Sequence, residues 1–97
     1  MLFHVTHHHD EHTCPARDDA TAARTFGALG EHLAEHVNEV IGMWGDPLSH
    51  TLFAVVDADE ATQIIQGFFP IIDAGSAQVR PIVSMDTVME VRDEMTT

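Results

Sequence analysis

The sequence has no lysine, no tyrosine and only one cysteine, Cys14, among its 97 residues. A single cysteine excludes a disulfide framework within the chain, so Cys14 is expected to be a free thiol, a metal ligand or a link to another subunit. The first residues also lack the basic and then apolar segments of a secretory signal peptide. The single cysteine and the lack of a signal-peptide pattern predict a cytoplasmic protein.

Basic side chains are scarce: 16 Asp and Glu residues oppose four Arg, which gives a formal net charge of −12 at pH 7. This charge repels nucleic-acid phosphates and attracts cations, so we expect no nucleic-acid partner. It also suits a protein that works at high salt, where self-repulsion is screened. No stretch approaches the roughly 20 apolar residues that a membrane-spanning helix requires, so we expect no membrane partner.

The hydrophobic pattern predicts the order βαββαβ in a single domain, residues 1–97. Apolar residues recur at the spacing of one helix face in two stretches, 26–40 and 61–68. The predicted strands cover 2–8, 40–44, 50–56 and 77–83, and the predicted helices cover 18–38, a segment capped by Asp57 or Asp59 that ends at Pro70, and about 85–94.

This order predicts an α+β, ferredoxin-like fold, because two right-handed βαβ crossovers then share one four-stranded antiparallel sheet in the order 4-1-3-2. Two helices cover only one face of such a sheet. The third strand, however, contains the continuous apolar run Leu52 to Val56, which is typical of a strand buried on both faces. We therefore expect a homodimer that packs sheet against sheet.

Three features of the sequence carry a family resemblance: the short strand that opens after Met1, the turn Gly45-Asp-Pro-Leu-Ser-His50, and the closing segment Val79-Arg-Pro-Ile-Val-Ser84. With the order of elements, they resemble the dimeric α/β-barrel superfamily of small ferredoxin-like proteins. The resemblance implies a barrel formed by two sheets. That superfamily includes cofactor-free monooxygenases, muconolactone-isomerase-like enzymes and small nickel-binding proteins, so the fold leaves the function open.

A histidine-rich segment near the N-terminus predicts a metal site. Imidazole, thiolate and carboxylate groups lie close together from His7 to Cys14, and they are the donors that Zn, Ni or Cu prefer. The expected ligands of such a divalent transition metal are His7, His9, His12 and Cys14. The alternative is a solvated polar loop, because the spacing matches no fixed zinc pattern.

An enzyme is the second functional hypothesis. If Phe3 faces the helices, then His4 faces the opposite side of the sheet, and strand alternation places Arg80 beside it. A histidine can act as a general base and an arginine can bind a carboxylate or stabilise an enolate. His4 and Arg80 are then the catalytic residues of a monooxygenase- or isomerase-like site for a small molecule, with no dedicated cofactor-binding residues.

Two further alternatives complete the set. The string His32-Leu-Ala-Glu-His36 matches an inverted zincin motif, but a helix lying flat on a small sheet offers no cleft, so these residues are expected to flank the core. A structural dimer without catalytic activity is the third function that the sequence allows.

Overall fold

Four strands pair into one antiparallel sheet, and the computed structural model describes residues 1–97 apart from the side chain of Arg17. The elements are β1 (Leu2–His8), a 3-10 turn (Pro15–Arg17), α1 (Asp19–Arg24), α2 (Phe26–His36), β2 (Glu39–Asp46), β3 (Thr51–Asp57), α3 (Ala61–Gly67), a second 3-10 turn (Phe69–Ile71), β4 (Ser76–Ile82) and α4 (Met85–Thr96).

The strand order is β2-β3-β1-β4, and β1 pairs antiparallel with both β3 and β4. This is the predicted α+β, ferredoxin-like arrangement, and the predicted strand order is confirmed. Pro81 lies in β4, an edge strand of the sheet. Proline has no backbone N–H, and at an edge this removes no hydrogen bond between two central strands.

The core lies between the helices and one face of the sheet. Alternation along β1 directs Phe3, Val5 and His7 to this face, and all three are buried. Leu29 and Leu33 of α2 pack in the same cluster with no exposed surface. Each fully buried side chain of this kind contributes about 1.5–3 kcal/mol to folding.

The single helix expected over 18–38 is wrong, because α1 and α2 are separate helices that meet at Thr25. Thr25 has φ −104° and ψ −88°, outside the helical range, and its Oγ1 donates a hydrogen bond to the Thr21 carbonyl at 2.6 Å. The Thr25 N–H also donates to this carbonyl, at 3.0 Å, so the helical hydrogen bond is kept and the break lies in the torsions of Thr25. A hydroxyl that bonds back to the preceding turn in this way often bends a helix.

The expected cap of α3 also differs. Glu60, rather than Asp57 or Asp59, is the N-cap residue, and it forms a reciprocal capping box with Gln63. Asp57 instead accepts a hydrogen bond from the N-terminal amino group at 2.9 Å. The helix ends at Gly67, before Pro70, in agreement with the predicted stop.

The second face of the sheet is covered by none of the described helices. On β3, Ala54 and Val56 are fully buried on the helix side, while Phe53 and Val55 on the other side are only half-buried. The prediction that β3 is buried on both faces therefore does not hold within one copy of the chain. The C-terminal α4 also buries none of its described residues, and Met85 and Met95 are largely exposed.

Candidate metal centre

Three side chains that can bind a metal converge at the end of the sheet where β1 finishes and β3 begins. They are His9, Cys14 and His50, and their ligand atoms all lie within 4.8 Å of one another. Three separate segments supply them: the end of β1, the following loop and the β2–β3 hairpin.

Sheet pairing brings the two histidines together. The β1–β3 ladder ends with His8 opposite Thr51, and the His9 N–H extends it by donating to the His50 carbonyl at 3.1 Å. The two imidazole rings stand edge to face with centroids 5.1 Å apart. His50 has φ 52°, in the left-handed region that few residues other than glycine adopt.

A tight turn returns the chain from β1 so that Cys14 reaches the histidines. One carboxylate oxygen of Asp10 accepts hydrogen bonds from the backbone N–H groups of His12 (2.8 Å) and Thr13 (2.9 Å) and from the Thr13 hydroxyl (3.1 Å). These bonds, the one from the Thr13 backbone first, lower the pKa of Asp10. Pro15, which has almost no exposed surface, then anchors the chain at the start of the first 3-10 turn.

His9 is buried at 6% exposure, and its Nδ1 has no hydrogen-bond partner among the described residues. The ring of Phe26, at the start of α2, lies 5.6 Å away and closes the helix side of the site. Burial lowers the pKa of His9, the nearby His50 and His8 rings add to this effect, and Asp10 opposes it. A neutral imidazole with a free nitrogen is the form that binds metals.

A cavity of about 340 Å³ lies against the three donors, with Phe26, Leu52 and Pro47 among its lining residues. Cys14 also lines a broader surface depression of about 940 Å³. The three protein donors therefore have open space beside them, whereas structural zinc sites are closed by a fourth protein ligand.

The structure brings only part of the expected ligand set together. His9 and Cys14 belong to the three-donor group, while His7 and His12 do not. The His7 ring is buried among the core residues with its centroid 5.8 Å from that of His9. His12 is exposed, and its Nε2 lies 3.7 Å from a carboxylate oxygen of Glu11.

His50 was absent from the sequence-based ligand set. One signal could have identified it: the predicted sheet order places the end of β1 beside the start of β3, and His50 stands at that start. The left-handed backbone conformation of His50, in contrast, could not be predicted from the sequence.

His4 and Arg80 are direct cross-strand partners, and both lie on the sheet face that the described helices leave uncovered. The His4 ring packs 6.1 Å from the ring of Phe53, and the Arg80 guanidinium donates a hydrogen bond to the side-chain carbonyl of Gln78. Within one copy of the chain this face is open, so the pair lines no enclosed pocket there.

Of the two histidines in the zincin-like string, His32 connects two helices. His32 Nδ1 donates to the Gly67 carbonyl at 3.3 Å, which links α2 to α3, and the rings of His32 and His36 lie 4.8 Å apart. Neither histidine belongs to the three-donor group near His9.

The fold and the site define a small ferredoxin-like α+β domain with a three-residue group that could hold a metal ion. A family model described as "Domain of unknown function (DUF3303)" matches residues 1–96, so the chain belongs to the DUF3303 family. No curated protein and no solved structure matches the chain. Membership of the dimeric α/β-barrel superfamily is therefore not established by these comparisons. Among the described helices, none is both long and apolar enough to cross a membrane.

Proposed function

We propose that this protein binds one divalent transition-metal ion through His9, Cys14 and His50. The observation that carries the proposal is the convergence of three donor atoms from three segments within 4.8 Å. The unpartnered, buried Nδ1 of His9 supports it, because a buried polar atom without a partner costs about 1–3 kcal/mol unless a ligand satisfies it.

The donor set restricts the metal. Two imidazoles and one thiolate suit zinc, copper or nickel and disfavour magnesium and calcium, which prefer oxygen ligands. Tetrahedral zinc places its donors ~3.3–3.7 Å apart, given Zn–N and Zn–S distances of about 2.0–2.3 Å. Small side-chain rotations would close the present group to that spacing, and the adjacent cavity leaves room for water or a substrate at the fourth position.

The test begins with the metal content of protein purified without a nickel resin, measured by mass spectrometry. The chelator-treated protein is then titrated with Zn²⁺, Ni²⁺ and Cu²⁺, with thiolate-to-metal absorption as the readout for the last two. We expect about one ion per chain, and loss of that absorption in Cys14→Ser. The matched control is His8→Ala, because His8 neighbours His9 but points to the opposite face of the sheet. If His8→Ala and His9→Ala bind equally well, the proposal is wrong.

A homodimer is the second part of the proposal. The uncovered sheet face presents half-buried Phe53 and Val55 together with Trp44, which is 56% exposed. A second copy that packs on this face would remove these apolar side chains from water. Such packing would also complete the barrel that the family resemblance implies.

An enzyme remains the alternative function, and the cross-strand pairing of His4 with Arg80 favours it. In a sheet-to-sheet dimer this pair would line the interior, where the arginine could bind a small organic acid. The test is a benzoate titration followed by NMR. Signals of residues next to His4 should shift in the wild type but not in Arg80→Gln, while Arg92→Gln, on α4, should behave like the wild type. Equal shifts in all three proteins would rule out the site.

A further inference from the structure

A second cavity, of about 220 Å³, lies between α3, the Phe69–Ile71 turn and the β1–β4 half of the sheet. It shares no lining residue with the cavity beside the proposed metal centre. Its floor contains Val5 and His7 of β1, and its wall contains Ile64 and Phe68. The two cavities are therefore separate features of the fold.

His7 is the only residue with a polar side chain among the described residues that line this cavity. It is 3% exposed, and neither Nδ1 nor Nε2 makes a hydrogen bond of normal geometry in the described part of the chain. Burial lowers the pKa of the His7 ring, and the nearby Ile71 backbone opposes this effect. Buried polar groups in native proteins are almost always hydrogen-bonded, and an unpaired one is costly. The cavity side of His7 meets only apolar side chains, which Phe or Leu would pack against at a lower desolvation cost.

Water is a poor partner for His7. A buried water molecule typically makes two to four hydrogen bonds, and His7 is the single polar side chain in the lining, so further bonds would have to come from backbone groups such as that of Ile71. An apolar cavity of about 150 Å³ is large enough to bind benzene, so the present volume accommodates a substituted ring of similar size. Exposed Ile65, Ile72 and Val79 stand among the lining residues and offer an apolar entrance.

We propose that this cavity binds a small, mostly apolar molecule with one hydroxyl group, such as a phenol or a short branched alcohol, hydrogen-bonded to His7. A hydroxyl both donates and accepts, so it can pair with either ring nitrogen in either tautomer. The apolar body of the ligand fills the space between Ile64, Phe68 and Val5. This site uses a different cavity from the proposed metal centre, although the His7 ring lies 5.8 Å from that of His9.

The experiment compares phenol with toluene, which have nearly the same shape but differ in the hydroxyl. Each is titrated into the chelator-treated full chain, and binding is followed by amide NMR at cavity residues such as Val5, Ile64 and Ala77. We expect His7→Phe, which keeps a ring at this position, to lower the affinity ratio of phenol to toluene by about tenfold, as the loss of one buried hydrogen bond predicts.

Two further variants make the test specific. His8→Phe makes the same substitution on the opposite face of β1 and should leave the ratio unchanged. Ala77→Phe fills the cavity from the exposed strand β4 and should abolish binding of both probes, even if His7→Phe does not fold. An unchanged ratio in folded His7→Phe, or undiminished binding in Ala77→Phe, would overturn the proposal, as would an absence of shifts in the wild type.

Discussion

His50 combines a donor side chain with an unfavourable backbone conformation. Its φ of 52° places a side-chain-bearing residue where glycine is normally found, at the end of the hairpin turn and in contact with His9. Strain of this kind is found most often at functional sites, where surrounding structure maintains it. The residue therefore combines a local stability cost with a side chain that can bind a metal ion beside His9.

Replacement of His50 separates these two effects. Both His50→Gly and His50→Ala should lose metal affinity by more than about tenfold, because each removes one of three ligands. The glycine variant should nevertheless be about 1 kcal/mol more stable than the alanine variant without metal, since glycine adopts the left-handed region at no steric cost. Chemical denaturation in the presence of a chelator measures the stability of the two variants. Metal titration of the same proteins measures their affinity. Equal stability of the two variants would contradict the strain argument.

Asp10 acts on the site without being one of its ligands. Its carboxylate organises the turn that returns Cys14 to the histidines. Asp10→Ala should therefore weaken metal binding severalfold by leaving Cys14 less well positioned. Asp10→Asn, which keeps an acceptor oxygen, should restore most of the affinity.

Glu11→Ala is the matched control for Asp10→Ala, because it removes the same charge from the next position in the loop. Isothermal titration calorimetry with Zn²⁺ compares the three variants. If Glu11→Ala weakens binding as much as Asp10→Ala does, net charge rather than turn geometry determines the affinity.

At the scale of elements, the packing of α2 against α3 determines which helix positions accept a side chain. A Cβ on Gly30 of α2 would meet nothing within 4 Å, whereas a Cβ on Gly67 of α3 would overlap the side chain of Leu33 and lie 3.2 Å from its Cα. The two glycines thus have opposite roles. Gly30 weakens an exposed stretch of helix, and Gly67 permits close contact between two helices.

These roles predict opposite stability changes for the same substitution. Gly30→Ala should raise the free energy of unfolding by about 0.5–1 kcal/mol, because alanine is the better helix former. Gly67→Ala should lower it by about 1–3 kcal/mol, because the core must shift around Leu33. Urea denaturation of both variants measures the difference. A stabilised Gly67→Ala would show that the α2–α3 contact is looser than described.

At the scale of the whole molecule, the sheet face opposite the helices is left uncovered and carries apolar side chains. Phe53 and Val55 lie there at the centre of β3, flanked by His4 on β1 and by Trp44 on β2. A surface of this kind favours self-association, and the net charge of −12 limits it at low salt because two acidic copies repel each other.

A charge at the centre of this face should prevent dimer formation. We expect Phe53→Glu to convert the proposed dimer to a monomer, since an unpaired carboxylate would be buried between the two sheets. Ile65→Glu, on the helix side, adds the same charge at an exposed position and should leave the mass unchanged. Light scattering after size-exclusion chromatography measures the molecular mass of the wild type and of the two variants. A monomeric wild type at all salt concentrations would rule out the dimer.

The sequence alone determined the parts of the structure that depend on short-range periodicity. Alternation along β1 placed Phe3 and Val5 inward and His4 outward, and the βαββαβ order implied the observed sheet order. These features follow from side-chain spacing and from the handedness of βαβ connections, which are properties of local stretches.

The tertiary structure decided what periodicity cannot encode. It divided the long helix at Thr25, whose torsions leave the helical range, and it left the ring nitrogens of His7 without a regular hydrogen bond in the core. It also joined His50 to His9 and Cys14, residues more than 35 positions away in the chain. The physical reason is that these outcomes depend on individual hydrogen bonds, one backbone torsion and the pairing of distant strands, and none of these leaves a repeating pattern in the sequence.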